Sequence, residues 1–195
     1  MQRVLSYLLA TTDFAITGPM LHGGIDDMIT YSDSDLAGDN SPTTRSQTGT
    51  MIFLNKVPVS WRSRVQCKSS KSIAQAEIYA VSNSLDDARD LRFRLTDMGC
   101  VLPLKLKMLT DNNQAISFSH STCNSSRLRG VFSRHWAYVK ELKDGDELDL
   151  SYVAAENNAA NILTKSLHAY TFKREKRLIL SQWGVGRSEA SLVVV

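Results

Sequence analysis

The stretch SIAQAEIYAVSNSLDDARDLRFRLTDMG, residues 72–99, constrains the fold of this 195-residue chain more than any other. Ile73, Ala76, Ala80, Val81, Ser84, Ala88, Leu91 and Leu95 recur at helical spacing, which predicts one long amphipathic helix opened by Ser72 and stopped by Gly99. A helix with one apolar stripe must bury it against a second layer. Glu77 falls inside that stripe, where an ionised carboxylate is costly unless it is paired or bound to a metal.

The flanking segments say what that second layer is. Met28 to Ser32, TGTMIFLN and VPVSWRS read as three strands, the last two joined by a turn at Asn55 and Lys56, so an antiparallel meander precedes the helix. After it, LPLKLKMLTD alternates apolar and basic residues like a strand and ends in Asp111. NQAISFSHS and FSRHWAYVKEL read as helices, and ELDLSYVAA as a strand entered through the turn DGDE. A last helix is expected to start at Asn157 or Asn158 and run through AANILTKSL, and Val4–Ala10 reads as a short helix ahead of everything. Strands, then alternating strands and helices, imply an α/β fold with a mixed sheet and helices packed on it.

Composition narrows the function classes. Apolar content of 43% and charged content of 22% are ordinary for a globular chain with a real core, and the length supports one domain. A net charge of +3 allows a nucleic-acid partner without demanding one. Cys67, Cys100 and Cys123 have no metal-binding spacing and are expected to be buried, reduced thiols. No apolar run approaches the roughly 18 residues of a membrane span, so no membrane partner is expected, and the terminal SLVVV reads as frayed.

Three carboxylates stand out by position: Asp33 at the end of the first strand, Glu77 on the inward face of the helix, and Asp111 at the end of the fourth strand. Strand ends are where α/β sheets usually bind ligands. Gathered there, the three would repel one another, and a hard divalent cation such as Mg2+ is the simplest remedy. The plainer reading is that Asp33 caps a turn, Glu77 pairs with an arginine and Asp111 closes a strand; the pattern alone leaves both open. Asp35 shares the face of Asp33, since side chains of an extended chain alternate.

Sequence order breaks the tie. YSDSDLAGD resembles the Y-S-D-x-D-x-A-G-D segment of the ribonuclease H domain of copia-type LTR retrotransposon Pol polyproteins, RSQTG its R-x-S-T-S-G, and VSWRSRVQ its I-S-W-x-S-K-x-Q. AQAEIYAVSNS, LTDNNQAI and NAANILTKSL are similar to its T-E-A-E-Y-x-A, C-D-N-x-S-A-I and x-x-A-D-I-L-T-K-x-L segments, in the same order. RVLSYLLATTDFAITG resembles the segment that ends the reverse transcriptase part just upstream.

The resemblance implies an RNase H-like fold, with a five-stranded mixed sheet flanked by helices. It divides the chain into residues 1–27 as a remnant of the reverse transcriptase connection, 28–175 as the RNase H-like domain and 176–195 as a tail. The implied activity is endonucleolytic hydrolysis of the RNA strand of RNA/DNA hybrids during reverse transcription, using two Mg2+ or Mn2+ ions about 4 Å apart. Asp33, Glu77 and Asp111 take the catalytic and metal-binding positions, and the fourth acidic position is Asn161, which offers a carbonyl oxygen but no charge. Gln75, Leu36 and RLRGVFSRHW also depart from the family pattern. A catalytically impaired relic, or a nucleic-acid-binding module that keeps the fold, is therefore the alternative; an integrase-like nuclease fits less well, because its helix-borne acid comes last in the chain.

Trp61, Arg62, Arg64, Lys68 and Lys71 form one basic run, and Arg127, Arg129 and Arg134 a second. Both suit phosphate contacts, with Arg62, Arg64, Arg127, Arg129 and Arg134 as the candidate nucleic-acid-binding residues; a solvated basic face is the competing account. His135 either assists product release near the metals or simply packs. The expected partners are an RNA/DNA hybrid and the reverse transcriptase and integrase parts of a longer precursor. The expected setting is intracellular, in a cytoplasmic virus-like particle or the nucleus.

Overall fold

The computed structural model describes residues 2–12, 14–16, 18, 24–36, 44–120 and 131–182. In chain order it contains α1 (Gln2–Ala10), β1 (Phe14–Ala15), β2 (Met28–Asp35), β3 (Gln47–Leu54), β4 (Val57–Val65), α2 (Ile73–Asp97), β5 (Leu106–Thr110), α3 (Asn113–His120), α4 (Val131–Asp144), β6 (Leu148–Tyr152), α5 (Ala169–Glu175) and β7 (Ser181–Gln182). Five strands make one mixed sheet in the order β4-β3-β2-β5-β6. The β2-β3-β4 meander is antiparallel, whereas β5 runs parallel to both β2 and β6.

Local chemistry sets these elements. Asn55 and Lys56, between β3 and β4, both take positive φ (46° and 70°), the backbone that a tight hairpin needs. Asn55 also accepts from the amides of Asp26 and Asp27 through Oδ1, which pins the entry to β2. At the head of α2, the Ser72 hydroxyl accepts from the Gln75 amide, and Oε1 of Gln75 reaches back to the Lys71 amide, a variant of the capping box. Gly99, at φ 84°, ends the helix as the sequence predicts.

Alternation splits the apolar residues between the two faces of the sheet. One face buries Met28, Ile52, Leu54, Leu106, Met108, Leu148 and Leu150 against Val81, Leu85 and Ala88 of α2 and Val139 and Leu142 of α4. On the other, Ile29, Tyr31, Met51, Phe53 and Leu109 meet Ala159 and Ala160. The stripe on α2 is as expected at Ala76, Ala80, Val81, Ser84 and Ala88, but Ile73, the first residue of the helix, is exposed.

Two expectations need correction. No continuous helix starts at Asn157 or Asn158: single 3-10 turns at Ala155–Asn157 and Asn161–Leu163 occupy that stretch, and α5 begins only at Ala169. Asn158 is the cause, since its backbone is extended and its side chain is fully buried, donating 3.0 Å to the Ser32 carbonyl and accepting 3.1 Å from the Ala160 amide. Nor is Cys67 buried; it lies exposed in the link between β4 and α2, while Cys100 is half-buried. Cys123 and the SLVVV terminus lie outside the described residues.

The two ends of the described chain meet. β1 pairs with β7, Tyr7 packs edge-on against Phe172 at 5.8 Å, and the Lys176 ammonium sits 3.6 Å above the Phe14 ring. None of the helices among the described residues is long and apolar enough to cross a membrane.

Candidate active site

Asp33, Glu77 and Asp111 come together: each offers a carboxylate oxygen, and these oxygens all lie within 4.8 Å of one another. Three separate elements deliver them. The parallel ladder between β2 and β5 ends at Ser32 and Thr110, one residue before Asp33 and Asp111, so the two aspartates stand at the same level, Asp111 just past β5 but Asp33 still inside β2, which stays paired with β3 to Asp35, beyond the expected strand end. Glu77 descends from the second turn of α2 over that end of the sheet. Gln66 holds the helix there, donating 2.9 Å to the Ala76 carbonyl and 3.0 Å to the Thr48 hydroxyl.

Two members of the cluster are buried and Asp111 is half-buried, and the cluster is electrostatically loaded. Asp33 is 1% exposed and Glu77 4%. Burial, and then the charges of Asp33 and Asp111, push the Glu77 carboxyl up to about 8. Burial also raises the Asp33 carboxyl, while Lys165 and Thr164 pull it back. Oε2 of Glu77 has no hydrogen-bond partner among the described residues, an expensive condition for a buried carboxylate.

Residues 158–165 close the opposite side. They can approach because Gly49, cross-strand from Asp33, has no side chain: a Cβ there would stand 2.7 Å from both the Ala160 carbonyl oxygen and Cγ2 of Thr164. Thr164 donates its hydroxyl to Oδ2 of Asp33, and the Lys165 ammonium lies 3.5 Å from the same oxygen. Asn158 Nδ2 reaches Oδ1 of Asp111 at 3.4 Å. Asn161, 6% exposed, donates Nδ2 to the Ala155 carbonyl at 2.5 Å, and its Oδ1 has no partner among the described residues. Asn158, Thr164 and Lys165 were not singled out by sequence reasoning, although all three stand in NAANILTKSL, the segment that carries Asn161.

The basic residues do not form one surface. Arg62 and Arg64 share Asp87 of α2 at 2.6 and 3.3 Å, which places them on the α2 face, whereas Trp61 alternates to the other face and is 54% exposed. Arg134 is exposed and lines a cleft of about 250 Å³ with Ser82, Asp86, His135 and Tyr138. His135 bonds the Ser82 hydroxyl at 2.8 Å and packs edge-on against Tyr79, so it helps to dock α4 on α2. Arg127 and Arg129 lie outside the described residues.

Comparison with known proteins gives these features a context. No family model matches the chain. The chain is 27% identical over 179 residues to the retrovirus-related Pol polyprotein from transposon RE2 of Arabidopsis thaliana, covering 92% of this chain and 12% of that protein. It is 27% identical over 150 residues to the transposon Ty1-JR1 Gag-Pol polyprotein of Saccharomyces cerevisiae, covering 77% of this chain and 8% of that protein. The chain thus spans only a small part of the length of these relatives. In structure it is similar to LC11-RNase H1, solved in complex with an RNA/DNA hybrid, with a TM-score of 0.52, 15% identity, and coverage of 71% of this chain and 94% of that one. The N-terminal RNase H domain of rv2228c from Mycobacterium tuberculosis gives a TM-score of 0.52 at 12% identity, covering 72% and 91%. The sheet and its flanking helices thus have an RNase H-like fold, and the sequence is similar to part of retrotransposon Pol polyproteins.

Proposed function

We propose that the chain is a retrotransposon ribonuclease H that hydrolyses the RNA strand of RNA/DNA hybrids endonucleolytically during reverse transcription. The convergence of Asp33, Glu77 and Asp111, with a buried oxygen of Glu77 left unpartnered, carries this reading. An all-oxygen donor set around an orphaned carboxylate oxygen fits a hard divalent cation, Mg2+ or Mn2+. Asp33, Glu77, Asp111 and the carbonyl oxygen of Asn161 would hold two such ions. Bound there, the ions supply charge that activates the attacking water and stabilises the departing sugar oxygen.

The chain's own residues do the rest. Thr164 and Asn158 hold Asp33 and Asp111 by donated hydrogen bonds, which fixes the carboxylates before any substrate arrives. Burial of Asp33 and Glu77 keeps bulk water from competing for their oxygens, while Asp111 is half-buried. Asn161 supplies no negative charge, so cation binding is weaker than with an acid at that position. Arg62, Arg64, Arg127, Arg129 and Arg134 are the proposed hybrid contacts, made to phosphates and therefore without sequence preference. Residues 28–175 are the proposed domain, with 1–27 as a connection remnant and 176–195 as a tail. The reverse transcriptase and integrase parts of a Pol precursor are its proposed partners, and a copia-type cytoplasmic virus-like particle or the nucleus is its place of work.

The test is incubation of the purified chain with a labelled RNA/DNA hybrid, with Mg2+ and then with chelator. RNA-strand cleavage that requires Mg2+, is lost in Asp33→Asn and rises in Asn161→Asp is expected. A parent without activity beside an active Asn161→Asp identifies an impaired relic. Cleavage that survives Asp33→Asn sinks the site assignment.

A further inference from the structure

The segment opposite α2 brings a positive charge to the cluster as well as hydrogen bonds. The Lys165 ammonium stands 3.5 Å from Oδ2 of Asp33, and its side chain is 41% exposed where that of Asp33 is 1% exposed. The Thr164 hydroxyl fixes the oxygen that the ammonium faces, so the contact is aimed rather than incidental.

Three carboxylates within 4.8 Å of one another need positive charge whether or not a metal is bound. Lys165 is tethered where that charge is needed. A lysine is a compact cation on a flexible four-carbon stem, and because this one reaches solvent, its ammonium can withdraw when a stronger cation arrives. Asn161 has already removed one potential negative charge from the site, and Lys165 offsets a second.

We infer that Lys165 is a positioning residue that acts as the resident cation of the carboxylate cluster: it pairs with Asp33 and competes with the divalent cation for it. Lys165 thereby sets how much Mg2+ the protein needs. This rests on the reading of the cluster as a metal site.

The test is calorimetric titration with Ca2+, which reports cation binding without turnover, on the parent, Lys165→Met, Lys165→Gln, Lys165→Arg and Asp33→Asn, each checked for folding by its circular dichroism. Removing a charge this close is expected to tighten Ca2+ binding about tenfold in Lys165→Met and Lys165→Gln, with Lys165→Arg near the parent. The Mg2+ midpoint of cleavage falls in step, while KM for the hybrid stays unchanged. Unchanged or weaker Ca2+ binding in both neutral variants overturns the inference. A raised KM with parental cation affinity also overturns it, making Lys165 a phosphate contact instead. If the parent and Asp33→Asn bind Ca2+ alike, the metal-site reading itself fails and takes this inference with it.

Discussion

The two faces of the sheet do different work. The face under α2 is regular: a capped helix lays Val81, Leu85 and Ala88 on Ile52, Leu54 and Met108, and Glu77 rides along on its second turn. The other face, near the strand ends, is covered by an irregular segment whose placement depends on one missing Cβ at Gly49 and on the buried amide of Asn158. Regular packing gives the first face its stability, while the second gives up regular structure so that Asn158, Thr164 and Lys165 can address the carboxylates. Substitutions on the two faces should therefore separate stability from activity.

The largest stability effect belongs to Leu85, which is fully buried; Leu85→Ala should cost about 3 to 4 kcal/mol in urea unfolding and leave the kcat of the folded fraction near the parent's. Gly49→Ala forces a Cβ against the Ala160 backbone and should cost about 2 to 3 kcal/mol, but here kcat should fall with stability because Thr164 is displaced from Asp33. Equal loss of kcat in Leu85→Ala and Gly49→Ala would erase the distinction between the faces. Asn158→Ala leaves the Ser32 carbonyl without its side-chain donor and should cost about 2 kcal/mol, again with loss of activity. At the small end, Ser72→Ala removes the α2 cap and should cost about 1 kcal/mol without moving kcat.

A pH dependence sharpens the same contrast. Glu77 is pushed from 4.5 to about 8 by burial and by its carboxylate neighbours, so between those values the folded chain holds a proton that the unfolded chain has released. In chelator, stability should therefore fall as pH rises through that window, and Glu77→Gln should flatten the fall. Adding Mg2+ at pH 8 should restore stability to the parent and leave Glu77→Gln less affected. A parent whose unfolding midpoint in chelator does not change across the window contradicts the electrostatic account.

The α2 face was legible in the sequence because its signals are local and repeat: helical spacing, Ser72 at the start, Gly99 at the end, and Asn55 with Lys56 in the hairpin. The convergence of Asp33, Glu77 and Asp111 was legible through strand ends and motif order. The segment after β6 was not. AANILTKSL reads as helix by composition, and the buried amide of Asn158 that breaks it has partners 126 and 47 residues away in the chain, which no local pattern encodes. The Lys165–Asp33 contact is hidden for the same reason, since it exists only once Gly49 has let the segment approach. Arg62 and Arg64 looked like a free basic run because Asp87, which holds both, lies far along the chain on α2.

The central claim is that Asp33, Glu77 and Asp111 form a divalent-cation site, and anomalous diffraction from crystals soaked in Mn2+ tests it most directly. The account predicts a manganese peak within about 2.2 Å of oxygens from Asp33, Glu77 and Asp111, absent in Asp33→Asn crystals. Manganese bound elsewhere, or no peak at the cluster at saturating Mn2+, would contradict it.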